Sequence, residues 1–209
     1  MTLTKPPDKF WQLLVVLLLG LTTTGLVYNH REKEEVKEQL AATQNEWQAC
    51  LAAGKAMASI MARQWQLAGC KMRKGLLVRN RQGKTVLLDS LVEKYNDQLL
   101  VLRFSWRSCQ DCQLQEINYI QQLRSSHRAV IIASFETFRD FELYMQTYKV
   151  ALPAYFLESG KDLLANRVEN SSDVYSFITD STYQMTRVHV GSTSFPQLSQ
   201  TYYQTILVN

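Results

Sequence analysis

Cys109 and Cys112 are separated by Gln110 and Asp111. Two thiols at that spacing can close and reopen a disulfide, so the chemistry open to them is thiol–disulfide exchange. The attacking species in exchange is the thiolate, not the thiol. A helix N-terminus supplies what a thiolate needs, unpaired N–H groups and partial positive charge. If the motif opens a helix, Cys109 is the exposed attacking thiol and Cys112, one turn on, is the shielded resolving thiol. Arg107 favours the thiolate and Asp111 opposes it, which points to a modest pKa and a reducing couple. Trp106, Arg107, Ser108 and Asp111 therefore flank the pair as modulating or substrate-contacting residues. A static structural disulfide is the alternative use of the two cysteines. Half of a zinc ribbon is disfavoured, because the chain has only four cysteines and no second C-x-x-C.

The flanking sequence supplies the elements that must position the pair. Upstream, Leu99-Leu100-Val101-Leu102 runs through Phe104 to Trp106 and reads as a buried strand. Downstream, Leu114, Ile117, Ile120 and Leu123 mark one apolar face of a helix. Ala129 to Ala133 is a second buried strand, and Phe138, Phe141, Met145 and Tyr148 mark another helix. Before these, Leu76 to Val78 and Thr85 to Leu88 flank a polar turn at Gln82-Gly83 and predict a β-hairpin. After them come a strand at Ala154 to Leu157 and a strand pair, Tyr175 to Thr179 and Met185 to Val190, joined at Asp180-Ser181. Pro196 opens a last helix with Leu198, Tyr202 and Ile206 on one face. Strands alternating with helices predict an α/β fold with a mixed central sheet flanked by helices.

Composition excludes several classes. With 46% hydrophobic and 20% charged residues the chain is not of the disordered type. Its net charge of +4 is small and its basic residues are dispersed, which argues against nucleic acid as a partner. The three histidines form no Cys/His cluster, so no metal site is expected. His30 is juxtamembrane in this reading, His127 falls in a loop, and His189 lies on a strand as a solvated or hydrogen-bonded residue without a catalytic role.

Phe10 to Tyr28 carries no charge and matches the roughly 20 residues that a membrane-spanning helix needs. Trp11 and Tyr28 stand at its ends, where amphipathic aromatics favour the interface. Lys5 and Lys9 precede the run, whereas Glu32, Glu34, Glu35 and Glu38 outnumber the basic residues just after it. The asymmetry predicts residues 1–9 as a cytoplasmic leader, 10–28 as a single anchor in the cytoplasmic membrane, and the remainder on the periplasmic or extracytoplasmic side. A cleaved signal peptide is the competing reading, but no small-residue cleavage site follows the run. Either way the rest of the chain meets an oxidising compartment.

Residues 29–74 read as a helical stalk. Val36, Leu40, Thr43, Trp47, Cys50, Gly54, Met57 and Met61 alternate by four and three, the spacing of a heptad seam. Two readings stay open: a parallel coiled coil pairing two copies through residues 36–61, or a stalk that packs on its own C-terminal domain. Cys50 and Cys70 would lie about 30 Å apart along an unbroken helix and could not then pair.

The segments LLVLRFSWRSCQDC, VALPAYFLE and VYSFITDSTYQMTRVHV, with a helix after the last, resemble the thioredoxin superfamily. The resemblance is to its membrane-anchored TlpA/ResA-type thioredoxin-like proteins and covers about residues 75–209. It implies a thioredoxin-like fold and a redox-active disulfide as the only redox group, with no other cofactor. It also implies thiol- or disulfide-bearing protein substrates and a membrane electron donor. VALPAYFLESGKDLLANRV resembles the inserted strand and helix of that family. Two positions depart from the pattern. Ser108 stands where the family has Trp, and Val174 stands where a cis-proline faces the cysteines. A cis bond before a non-proline residue costs roughly 2.5–4 kcal/mol, so the usual geometry is not expected at Val174. Pro153 belongs to the inserted strand. Asp173 and Val174 remain candidate contacts facing the pair. A catalytically weak thioredoxin-fold binding or scaffold protein is the alternative to an oxidoreductase, and a peroxidase-like relative is a third.

Overall fold

The computed structural model describes residues 8–95, 98–123, 128–165 and 169–207, with the side chains of residues 8–12, 14, 25 and 207 outside the description. His127 and the leader residues 1–7 are likewise outside it. The chain divides into two compact units, Met1–Ala56 and Met57–Asn209.

The described residues of the first unit are helical. Helix α1 (Asp8–Leu67) continues through Gly54 without a break and enters the second unit over its last turns. Within the apolar run, the hydroxyls of Thr22, Thr23 and Thr24 donate to carbonyls three and four residues back at 2.9–3.0 Å. Among the described residues no helix is long and apolar enough to cross a membrane; part of the 10–28 run has side chains outside the description. Val36, Leu40 and Trp47 are exposed, and Cys50 is a free, exposed thiol.

The second unit is built on one seven-stranded sheet. Its strands are β1 (Leu77–Asn80), β2 (Thr85–Leu87), β3 (Leu99–Ser105), β4 (Ala129–Ser134), β5 (Ala154–Phe156), β6 (Tyr175–Thr179) and β7 (Met185–Val190). Its helices after α1 are α2 (Leu88–Lys94), α3 (Gln110–Gln121), α4 (Phe138–Thr147) and α5 (Pro196–Leu207). The order across the sheet is β2-β1-β5-β4-β3-β6-β7. Strands β3, β4 and β5 are parallel, while β6 and β7 return antiparallel beside β3. Parallel β3–β4 with an antiparallel pair on the other side of β3, and helices on both faces, is the thioredoxin-like arrangement.

Every residue of β3 and β4 is buried, as parallel strands covered on both faces require. The two-residue period of a strand splits them between two cores. Leu99, Val101, Val130 and Ile132 join Leu88 and Val92 of α2 and Ile60 and Leu67 of α1 on one face. Leu100, Leu102, Phe104, Ile131 and Ala133 join α3, α4 and Tyr203 of α5 on the other. Thr137 caps α4, its hydroxyl oxygen accepting from the Asp140 N–H at 3.1 Å.

The structure departs from the sequence expectations in four places. Helix α2 follows β2 directly and was not expected; at seven residues it is too short for a periodic signal. The compact unit starts at Met57 rather than near Gly75, because Ile60, Leu67 and Met72 are part of its core. The segment after β5 holds no helix among its described residues; the helix beside that strand is α4, which precedes it. Finally, α5 turns Ser199, Tyr203 and Ile206 inward and leaves Leu198 exposed, because the Tyr203 hydroxyl finds Ser176 at 3.0 Å and Glu116 at 2.5 Å.

Candidate functional site

Cys109 is the N-cap of α3, immediately beyond the turn that ends β3. Its sulfur accepts the Cys112 N–H at 3.2 Å, the bond by which a helix N-terminus stabilises a thiolate. Cys109 is exposed, whereas Cys112 is buried, 7% exposed, in the same core cluster as Val174 and Tyr203. The two sulfurs lie within bonding distance as a disulfide, with a Cα–Cα separation of 5.2 Å. One thiol is therefore accessible and the other is shielded behind it.

The turn carrying Cys109 is fixed from below. The Trp106 N–H donates to the Ser134 carbonyl at 2.8 Å, and the Arg107 N–H donates to Ser105 Oγ at 3.2 Å. Ser108, predicted beside the pair, is buried; its hydroxyl donates to the Ser105 carbonyl at 2.7 Å. Gln113 reaches back from α3 to the Ser105 and Ser108 carbonyls and Ser108 Oγ at 2.9–3.1 Å. This small, bonded serine fills the place where the resemblance expects Trp. Trp106 is 41% exposed, and the Arg107 guanidinium stacks on its ring at 5.0 Å. Asp111 is exposed in the first turn of α3, and the side-chain amide of Gln110 donates to the Tyr148 hydroxyl.

Val174 leads into β6, which is antiparallel to β3, and so stands at the cysteine end of the sheet. It is buried, its carbonyl accepts from the Gly191 N–H at 2.9 Å, and no described peptide bond is cis. Asp173 is ion-paired with Arg63 of α1. Pro153 precedes β5, parallel to β3, and therefore sits at the opposite end of the sheet from the cysteines.

Two clusters behind the pair were not foreseen. Arg103, 6% exposed on β3, makes two parallel bonds of 3.0 Å to Glu169. Burial alone would raise the Glu169 carboxyl. The charge and hydrogen bonds of Arg103, the Tyr175 hydroxyl and the Leu163 N–H outweigh it and hold the group below the ordinary glutamate range. Burial and the facing carboxylate push the Tyr175 hydroxyl well above its usual value. On the other face, Glu116 is fully buried one turn after Cys112 and accepts from Ser199 at 2.6 Å and from Tyr203. His189 is also buried, within 2.9 Å of Ser199 Oγ and 3.4 Å of Gln64, a hydrogen-bonded core histidine. A lone charged residue in an apolar run is the only sequence signal that could have flagged Arg103. Among the described residues no group of His, Cys, Asp and Glu is placed to hold a metal ion.

No known protein family and no curated protein matches the chain. Solved structures do. A thiol:disulfide interchange protein of the thioredoxin family from Chlorobium tepidum is 19% identical, covers 67% of this chain and 96% of its own, and has a TM-score of 0.43. A thiol:disulfide interchange protein from Bacteroides sp. is 13% identical over 66% of this chain and 90% of its own, with a TM-score of 0.45. A peroxidoxin from Mycobacterium tuberculosis is 14% identical over 67% and 95%, with a TM-score of 0.42.

Proposed function

We propose that the protein is a membrane-anchored, extracytoplasmic thiol–disulfide oxidoreductase that reduces disulfides with the Cys109–Cys112 pair. One observation carries the reading: an exposed cysteine sulfur at a helix N-cap accepts the N–H of the helix's third residue, itself a second, buried cysteine in reach.

From the dithiol state, the Cys109 thiolate attacks one sulfur of the substrate disulfide. An S–S bond forms between Cys109 and that sulfur, and the other substrate sulfur leaves as a thiolate and takes a proton from solvent. Cys112, deprotonated, then attacks the Cys109 sulfur and releases the second substrate thiol. Two electrons have passed to the substrate, and the protein holds the Cys109–Cys112 disulfide. A dithiol donor must reduce it again, and a membrane-bound donor suits an anchored enzyme. Trp106, Arg107 and Ser108 shape the approach to Cys109, and Asp111 tempers its thiolate. Asp173 and Val174 border the cysteine end of the sheet.

The uncharged run 10–28 is the basis for the anchor, and its charge asymmetry for the orientation. The threonine hydroxyls bonded within the helix support it, since polar atoms in lipid must be satisfied internally. Pairing of two copies through residues 36–61 rests on the exposed Val36, Leu40 and Trp47 of the seam.

Equilibrium titration of the full chain against glutathione or dithiothreitol buffers tests the reading, in a Cys50→Ser, Cys70→Ser background. A reversible two-electron transition lost in Cys109→Ser is the expected result. A pair that never reduces or never reoxidises would leave a thioredoxin-shaped binding module, the reading favoured by valine in place of proline at position 174.

A further inference from the structure

A cavity of about 350 Å³ lies against the turn that leads to Cys109. The end of β3, the end of β4 and the segment around Gly160 and Ser171 enclose it. Two features of its wall point to an anion. The Ser134 hydroxyl, on a residue only 6% exposed, has no hydrogen-bond partner among the described residues. A buried hydroxyl left unpaired costs about 1–3 kcal/mol. The Arg107 guanidinium stacks on Trp106 and pairs with no carboxylate among the described residues, although its backbone N–H is pinned to Ser105.

The acids on the same wall are already engaged. Glu169 accepts from Arg103, Tyr175 and Leu163, and Asp162 accepts from the Glu169 N–H at 3.2 Å. Lys161, the third basic group, pairs with Glu158 at 2.6 Å. Among the described residues, the one unpaired charge on the wall is thus the Arg107 fork, and the one unpaired buried donor is Ser134. A planar fork plus one hydroxyl matches a carboxylate, whose two oxygens take the parallel N–H bonds.

We propose that this cavity is a carboxylate subsite, which selects small disulfides carrying a carboxylate next to the S–S bond. The proposal rests on the exchange reading of Cys109. Arg107 is two residues from Cys109, within about 7 Å of chain. A carboxylate held there therefore presents a neighbouring disulfide to the exposed sulfur. The guanidinium acts on the substrate by positioning it; the electrons move as described above.

The test uses the full chain in the Cys50→Ser, Cys70→Ser background, with dithiothreitol as the dithiol donor. Rates are measured with dithiodiglycolate, bis(2-hydroxyethyl) disulfide and cystamine, each divided by its uncatalysed rate with dithiothreitol. The anionic probe is expected to exceed the neutral one by about tenfold, the value of one charge-assisted hydrogen bond. Arg107→Gln should bring that ratio to near unity, Arg107→Lys should restore part of it, and Ser134→Ala should lower it. Taking the ratio removes any effect of Arg107 on the Cys109 thiolate, which all three probes share. Equal normalised rates in the parent protein, or a ratio unmoved by Arg107→Gln, would overturn the proposal. If no probe is reduced, the exchange reading fails, and adipate then tests the cavity alone. Adipate is the all-carbon analogue of dithiodiglycolate. A rise in Tm with adipate that is lost in Arg107→Gln upholds the carboxylate subsite, and no rise refutes it.

Discussion

Arg103 and Glu169 meet as a fork on a fork, Nε to Oε1 and Nη2 to Oε2, each at 3.0 Å, with both side chains almost wholly buried. The pair ties Glu169, between β5 and β6, to the strand that leads to the cysteines. Its Coulomb attraction is offset by the cost of taking two charges out of water, so its net value is small. Removing one partner is a different matter. Glu169→Ala leaves a buried guanidinium uncompensated and should cost about 3–5 kcal/mol. Thermal unfolding of the full chain should show a Tm lower by many degrees. A shift no larger than that of an exposed substitution such as Glu158→Ala would mean that water relieves the charge.

The same pair gives stability a pH dependence. The folded Glu169 carboxyl sits below its ordinary value, and the unfolded one titrates near about 4.3. Its contribution is complete above the unfolded value and is lost as pH falls through the folded one. Glu169→Gln should therefore flatten the stability profile below about pH 5, while lowering it at neutral pH. Parallel parent and variant profiles in acid would place the acid sensitivity in other carboxylates.

Gly191 is the close neighbour of the second buried cluster. A Cβ at this position would lie 2.9 Å from Cγ, Cδ and Oε1 of Glu116. Glu116 cannot swing away, because Ser199 and Tyr203 both donate to it within the core. Gly191→Ala should cost about 1–3 kcal/mol, the range for overpacking a filled interior. Adding Glu116→Ala removes the clash, so the two substitutions should be markedly non-additive in urea unfolding. Simple additivity would show that the cost of the added methyl does not come from Glu116.

The site's frame was readable where local pattern decides. The apolar run Leu99–Phe104 and the helical spacing after Cys112 predict a strand-to-helix junction, and the cysteine roles follow from it. What stayed hidden depends on partners distant in sequence. Nothing in the residues around Arg103 announces Glu169, which is 66 positions away. Ser134 looks like the last residue of a strand, and only the fold sets it in one cavity wall with residues 159–162, 169 and 171. The start of the compact unit at Met57 is hidden for a related reason. The seam spacing runs smoothly from Val36 to Met61, so periodicity alone gives no sign that Ile60 turns into the core.

The unequal exposure of the two cysteines predicts which one is trapped. In Cys112→Ser, attack by Cys109 on a small disulfide leaves a mixed disulfide with nothing to resolve it. Mass spectrometry of the Cys50→Ser, Cys70→Ser background should then show one stable adduct, formed about tenfold faster than in Cys109→Ser. Equal rates would mean that Cys112, 7% exposed here, opens readily to solvent and that the roles are not fixed by burial.

The boundary of the folded unit makes the last prediction. Met72 donates its N–H to the Tyr183 carbonyl at 2.9 Å, Arg73 to Leu163 at 2.7 Å, and Met185 to Cys70 at 2.8 Å. Residues 69–73 are thus an added edge that joins the start of β7 to the segment after β5. Ile60 and Leu67 bury their side chains on the same face. A fragment of residues 75–209 loses three core side chains, Ile60, Leu67 and Met72, together with those hydrogen bonds. Large-to-small losses in a core cost about 2–5 kcal/mol each, against a total stability of about 5–15 kcal/mol. Residues 57–209 should therefore give a cooperative thermal transition, and residues 75–209 should aggregate or show none. If both fragments melt alike, the α1 turns and the 69–73 edge contribute nothing to the fold, and the unit begins where the hairpin does.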